Sequence, residues 1–171
     1  MSLMSLRFPA VVRATLVLAA IMALALALTR QDETASTGFA TAIDGDSLRL
    51  DGVEMRLKGL DAPELGQTCR RSDGLDWPCG REARAALRKL LGRGLATCIG
   101  QEHDLYGRLL VTCRMRGADI NAELVRQGHA VAYGGYTAEE REARSDARGV
   151  WSGSFQRPAE WRKAHPREPG R

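Results

Sequence analysis

Aromatic residues are scarce in this chain of 171 residues, at 5%. That argues against a base-stacking platform as its main device. Histidine is scarcer, with three scattered copies. The four cysteines include no C-x-x-C spacing, so a structural zinc site has no ligand pattern to start from. No internal repeat is visible. The body also lacks an excess of either charge. The net charge is +4, but residues 36–151 hold acidic and basic residues in equal number. The surplus comes chiefly from the C-terminal stretch "RPAEWRKAHPREPGR". Such a body has no long-range field for a polyanion, so any phosphate contact must be local and specific.

Hydrophobic residues make up 44% and charged residues 27%, ordinary values for a globular chain. The length suits one domain with a real core, plus tails. Residues 1–30 differ from the rest. Arg7 and Arg13 precede an apolar run, residues 14–29, and no acid precedes it. This is the layout of a secretory signal, with Ala25-Leu26-Ala27 as a cleavage site. An uncleaved anchor is the other reading, although the run is slightly short of the ~20 residues that a span needs. Both readings export the domain: to the periplasm, to the medium, or anchored in the inner membrane facing outward. Cys69, Cys79, Cys98 and Cys113 suit that compartment, since an even count in an exported chain points to disulfides. Three pairings are open. Cys69 and Cys79 flank one loop, and Cys98 and Cys113 fall on what read as neighbouring strands, which favours 69–79 and 98–113. Four reduced buried thiols are the alternative.

Residues 31–37 are polar and small and read as a linker, leaving 38–152 as the domain and 153–171 as a basic, proline-containing tail without regular structure. "FATAI", "SLRL" and "VEMRLKG" read as strands joined by "DGD" and "DG" turns. Residues 60–80 form a long loop. In "REARAALRKLLG", Ala83, Ala86, Leu87, Leu90 and Leu91 recur at helical spacing. "LATCIGQ" and "GRLLVTCRM" are two more strands. "DINAELVRQG" is a helix with Asp119 as N-cap and Gly128 just past its end. "HAVAY" is a short strand. A third helix opens on a Thr137/Glu140 capping box. The expected fold is α+β: a small, five-stranded, partly open OB-fold barrel packed with three helices.

Four stretches carry the chemistry: "IDGDSLRL", "MRLKGLDAPE", "HDLYGR" and "INAELVRQGHAVAY". Asp46 and Asp61 would stand at adjoining strand ends. Their hard oxygens, with no Cys or His beside them, suit Ca²⁺ or Mg²⁺. Arg56 and Arg108 offer planar, bidentate donors to a phosphate. Taken singly each residue is a turn or surface charge; the set is less ordinary. Together with "CGREARAALRKLL", these stretches resemble the staphylococcal nuclease (thermonuclease) family over residues 39–151. The cysteines resemble its exported, disulfide-bearing bacterial branch, which includes members labelled as succinoglycan-biosynthesis proteins.

The resemblance implies a calcium-dependent nuclease, a hydrolase of DNA or RNA phosphodiesters with low sequence specificity that leaves 3′-phosphates. It implies one Ca²⁺ held by Asp46, Asp61 and the backbone carbonyl of Ala62, where the family usually has threonine. Asp44 would support that site from behind. Glu64 would activate or orient the attacking water, Arg56 and Arg108 would clamp the phosphate, and Tyr106 and Tyr133 would lie near the bound nucleotide. Nucleic acid is the expected partner, the membrane a second one through the N-terminus, and the domain is expected to be a monomer. Two alternatives stand: an OB-fold module that binds nucleic acid or saccharide without catalysis, and an envelope protein linked to exopolysaccharide. Lys58 and His103 are expected on the surface and Trp151 in the core.

Overall fold

The computed structural model describes residues 10–28 and 34–166. The chain divides into two units, Met1–Asp32 and Glu33–Arg171. The described residues of the first form helix α1 (Ala10–Leu28), whose alanine and leucine content favours that conformation. Among the described residues no helix is long and apolar enough to cross a membrane.

The second unit opens with a meander: β1 (Thr34–Ala42), β2 (Ser47–Leu50) and β3 (Val53–Leu57). The β2–β3 connection is Asp51-Gly52, with both residues at positive φ (44° and 92°). That is what a tight hairpin requires and why the pair is Asp-Gly. Three short strands follow, β4 (Leu60–Asp61), β5 (Cys69–Arg71) and β6 (Asp76–Trp77), before helix α2 (Cys79–Leu91). Then come β7 (Leu95–His103), β8 (Leu109–Met115), β9 (Ala118–Asp119), α3 (Ile120–Arg126) and β10 (Val131–Ala132). The chain continues through α4 (Thr137–Ser145), a 3-10 turn (Gly149–Ser152), β11 (Gly153–Ser154) and α5 (Pro158–Ala164).

Antiparallel pairing runs β3-β2-β1-β7-β8, and a parallel pairing of Met55–Leu57 with Leu109–Val111 joins β3 to β8. The five-stranded barrel is therefore closed, not partly open. Leu48, Leu50, Met55, Leu57 and Val111 fill its interior, and α2 and α3 cover it with Ala83, Leu87, Leu91, Ile120, Leu124 and Val125. Those α2 residues lie on the face that the helical spacing marks. The disulfides are Cys69–Cys79 and Cys98–Cys113. The second joins directly opposed residues of β7 and β8; the first anchors a satellite cluster with Trp77, Val131 and Val150. Each closes a loop worth ~3 kcal/mol in the chain-entropy picture. Trp151 packs half-buried on that cluster, Lys58 pairs with Glu102 at the surface, and His103 is exposed.

Several expectations are corrected. Residues 34–37 belong to β1 and not to a linker; residues 31–33 lie outside the described residues. The Thr137/Glu140 capping box does not form. Tyr136, in a left-handed conformation (φ 59°), precedes α4 without a side-chain cap. Glu140 instead accepts from Ala132 N and pairs with Arg144 and Arg157. The tail has regular structure: β11 pairs with β5, and α5 follows. Pro158 starts α5, where its missing N–H costs no helical bond. Helices α1 and α5 are thus additional to the three expected around the barrel.

Candidate active site

Between β1 and β2 the chain turns through Asp44-Gly45-Asp46. Asp44 Oδ1 accepts from the backbone N–H of Asp46 (3.0 Å) and of Ser47 (2.7 Å), which fixes the turn. Gly45 carries no Cβ because one would lie 2.7 Å from that of Ala62 and 2.8 Å from that of Ala83. Asp46 is 5% exposed, and its Oδ2 accepts from Ala62 N at 3.2 Å. That bond ties the first turn to the start of "DAPE". Asp61, on β4, is 4% exposed.

Arg56 projects from β3 between the two aspartates. Its Nη1 donates to Asp46 Oδ1 (2.9 Å), and its Nη2 lies 2.7 Å from Asp46 Oδ2 and 3.1 Å from Asp61 Oδ1. Burial nevertheless pushes the Asp46 carboxyl up to about 7, with Arg56 opposing and the nearby Asp44 and Asp61 charges adding to the rise. Glu64 follows Pro63. Its loop is held from beneath: Gln67, wholly buried, accepts from Glu64 N through Oε1 and donates to Gln156 O through Nε2 at 2.6 Å. Gly80, at the start of α2, abuts the Glu64 carbonyl so closely that no Cβ fits there.

Arg108 begins β8. Asp104 Oδ2 accepts from its Nε (2.8 Å) and Nη2 (2.7 Å), while Nη1 reaches Ser47 Oγ at 3.3 Å and Glu54 at 3.4 Å. Burial alone would raise the Asp104 carboxyl. Bonds from Arg108 and from the Tyr106 backbone hold it below its ordinary value. The Arg108 guanidinium lies 5.6 Å from the ring centre of Tyr106, whose residue is 85% exposed.

One cleft of about 740 Å³ gathers Asp44, Asp46, Arg56, Ala62, Glu64, Tyr106 and Arg108 in its walls. Asp61 reaches the group through Arg56. Tyr133 is not among the lining residues; it is exposed on the surface, its backbone N–H bonded to Gly59 O. The sequence reading missed Arg162. From α5 its Nη1 and Nη2 donate to Asp61 Oδ1 (2.9 Å) and Oδ2 (3.0 Å), and Nη1 also donates to Glu64 Oε1 (3.0 Å). Asp61, then Glu64, raise the Arg162 pKa above its ordinary value against the effect of burial. Trp161 and His165 line the same cleft. Gln67 was missed as well, since nothing local in "ELGQTC" marks a buried amide.

The lining holds five carboxylates against three guanidiniums. Among the described residues no three His, Cys, Asp or Glu side chains form a metal-binding group. A cation here would rest on Asp46, Asp61, a backbone carbonyl such as that of Ala62, and water. All-oxygen donors of that kind fit a hard divalent ion, and the excess of carboxylates over guanidiniums in the lining favours one.

The family model described as "Staphylococcal nuclease homologue" matches residues 54–153. The chain belongs to the staphylococcal nuclease family. It is 35% identical over 121 residues to "Succinoglycan biosynthesis protein ExoI" of Rhizobium meliloti (strain 1021), covering 67% of this chain and 63% of that protein. Two plant proteins named "Probable staphylococcal-like nuclease", CAN2 and CAN3 of Oryza sativa subsp. japonica, are each 32% identical over 111 residues, 61% of this chain and 27% of theirs. The chain thus spans less than two thirds of the length of each of these relatives. The staphylococcal nuclease match stops short of α5, so Trp161, Arg162 and His165 lie outside the stretch the family model describes.

Proposed function

We propose that the protein is a calcium-dependent nuclease that hydrolyses phosphodiesters of DNA or RNA with low sequence specificity. The observation that carries this reading is the convergence of Arg56, Glu64 and Arg108 on one cleft, beside the buried pair Asp46 and Asp61. Asp46, Asp61 and the Ala62 carbonyl would hold Ca²⁺, with Asp44 fixing the turn beneath. The ion supplies Lewis-acid stabilisation of charge on the phosphoryl group. Glu64 takes the proton of the attacking water or orients it. Arg56 and Arg108 donate to the non-bridging oxygens as their charge grows. The P–O5′ bond breaks, the 5′ oxygen leaves and takes a proton from solvent to become a hydroxyl, and the phosphate stays on the 3′ side. Few contacts read bases, so specificity is low.

The test is cleavage of a labelled single-stranded oligonucleotide, with Ca²⁺ and with chelator. Cleavage should require the ion. Glu64→Gln should lower kcat by about 10²–10⁴, and Arg108→Ala by about 10²–10³. No Ca²⁺-dependent cleavage, or an Arg108→Ala variant as active as the parent, rejects the enzyme.

We place the domain outside the cytoplasm, on the support of the arginine-flanked apolar N-terminus and the two disulfides, and take it to be a monomer. A role in exopolysaccharide production is the second reading, favoured by the name of the Rhizobium relative. Restoring a deletion strain with the Glu64→Gln chain separates the two. Polysaccharide output that recovers without nuclease activity supports the second.

A further inference from the structure

The C-terminal helix α5 enters the cleft with more than Arg162. Trp161, one residue before it, lines the same cleft, and so does His165, one turn later. The two rings are stacked, with centres 4.3 Å apart and planes 16° from parallel. Backbone geometry holds the stack: His165 N–H donates to Trp161 O at 2.9 Å, and Nδ1 lies 3.0 Å from the same oxygen. Trp161 is half-buried and packs beside Gly66, while His165 is exposed. One side of the pair therefore rests on the Glu64 loop, and the other is open to a ligand. In a chain with so few aromatics, a flat stacked pair at this place is not a matter of composition.

We propose that Trp161 and His165 form a stacking wall for an unpaired nucleobase at the α5 side of the cleft. The inference rests on the nuclease reading. The neighbourhood selects the ligand: Arg56, Arg108 and Arg162 offer guanidinium donors to phosphates along the cleft that holds the ring pair. A polymer that alternates phosphates with flat π-systems meets both surfaces. A duplex does not, because its bases already stack on one another. Every base has a π-face, so such a wall adds affinity for single strands without reading sequence. Arg162 sets the position of the wall, since its bonds to Asp61 and Glu64 pin α5 beside the candidate reacting centre.

The experiment uses the full chain carrying Glu64→Gln, so that the probe survives, with Ca²⁺ present. Fluorescence anisotropy measures the Kd of a 12-nucleotide single strand and of its duplex. His165→Ala alters an exposed ring and should leave the melting temperature unchanged. Trp161→Ala is accompanied by Trp161→Phe, which keeps a ring. Single-strand Kd should rise about 5- to 150-fold for His165→Ala, which removes the open ring, and comparably for Trp161→Ala, which removes the ring that supports it; Trp161→Phe should recover largely, and duplex Kd should move less than twofold. Equal single-strand affinity in parent, His165→Ala and Trp161→Ala overturns the wall while leaving the nuclease reading intact. Equal loss for single strand and duplex overturns it too. A parent that binds a polysaccharide through Trp161 and ignores oligonucleotides overturns it, and so does one that neither binds nor, as wild type, cleaves any nucleic acid; these last two results also sink the nuclease reading.

Discussion

Asp46 is nearly out of reach of water, yet its carboxyl must be charged to hold a guanidinium or a metal ion. Burial raises its pKa from the ordinary 3.8 to about 7. Across that window the folded state binds more protons than the unfolded one, so stability falls as pH rises from about 4 to about 7. The contribution is complete below the lower value and gone above the upper one. Urea unfolding in chelator at both ends of the window should show this loss in wild type and less of it in Asp46→Asn. Arg162 is the second residue of consequence. Both oxygens of Asp61 accept from it, so the guanidinium and a divalent ion compete for one carboxylate. Its side chain is 40% exposed, which keeps the pair weak. Arg162→Ala should tighten Ca²⁺ binding by roughly fivefold, the factor that ~1 kcal/mol represents. Calorimetric titration reads it, and unchanged or weaker binding rejects the competition. Asp46, Arg56, Asp61, Glu64 and Arg108 were legible as a set because the short runs that carry them resemble the staphylococcal nuclease family; singly each reads as a turn or surface charge. Arg162 was not legible, because its partners lie across the fold and its local sequence shows only a basic tail.

Element boundaries repeat that division between local and distant causes. Asp119 reads as an N-cap and is one, its carboxylate accepting from Ala122 N at 3.0 Å. Thr137 reads as one and is not, because Tyr136 enters α4 from a left-handed turn and Glu140 is drawn to Ala132 N. A hydroxyl that caps nothing contributes nothing. Asp119→Ala should cost ~1 kcal/mol, and Thr137→Ala should stay within ~0.5 kcal/mol of wild type. Urea denaturation of both variants checks the contrast, and equal losses would show that the box forms after all. Helix α5 carried a readable signal in Pro158 followed by Ala-Glu-Trp-Arg-Lys-Ala, the order that starts a helix at its first position. Pro166 and Pro169, together with the charge, masked it. The barrel strands were easier, since the β1–β2–β3 meander follows alternating burial and Asp-Gly turns. Closure through the parallel β3–β8 pairing joins segments with no shared local pattern, and no local rule announces it.

At the scale of the molecule, the closed barrel brings Asp46 and Asp61 together on the two sides of Arg56. A ligand that binds only this arrangement stabilises it by mass action, by ~2.7 kcal/mol at 100 times its Kd. Saturating Ca²⁺ should therefore raise the melting temperature of wild type, and Asp61→Asn should abolish the rise. A melting temperature indifferent to the ion counts against the proposed site. The balanced charge of the body has a further effect. Affinity for nucleic acid should depend on salt only as far as the few cleft arginines dictate, with a shallow slope set by that number. The contact between Arg162 and Asp61 joins residues 101 positions apart. A ribosome adding ~5–20 residues per second needs about 5–20 s to cover that distance. For that interval the nascent chain carries its carboxylates without the C-terminal guanidinium, and the aromatic pair does not yet exist. The cleft is finished only when α5 has been made, which puts a clock on when this chain can first grip a nucleic-acid strand.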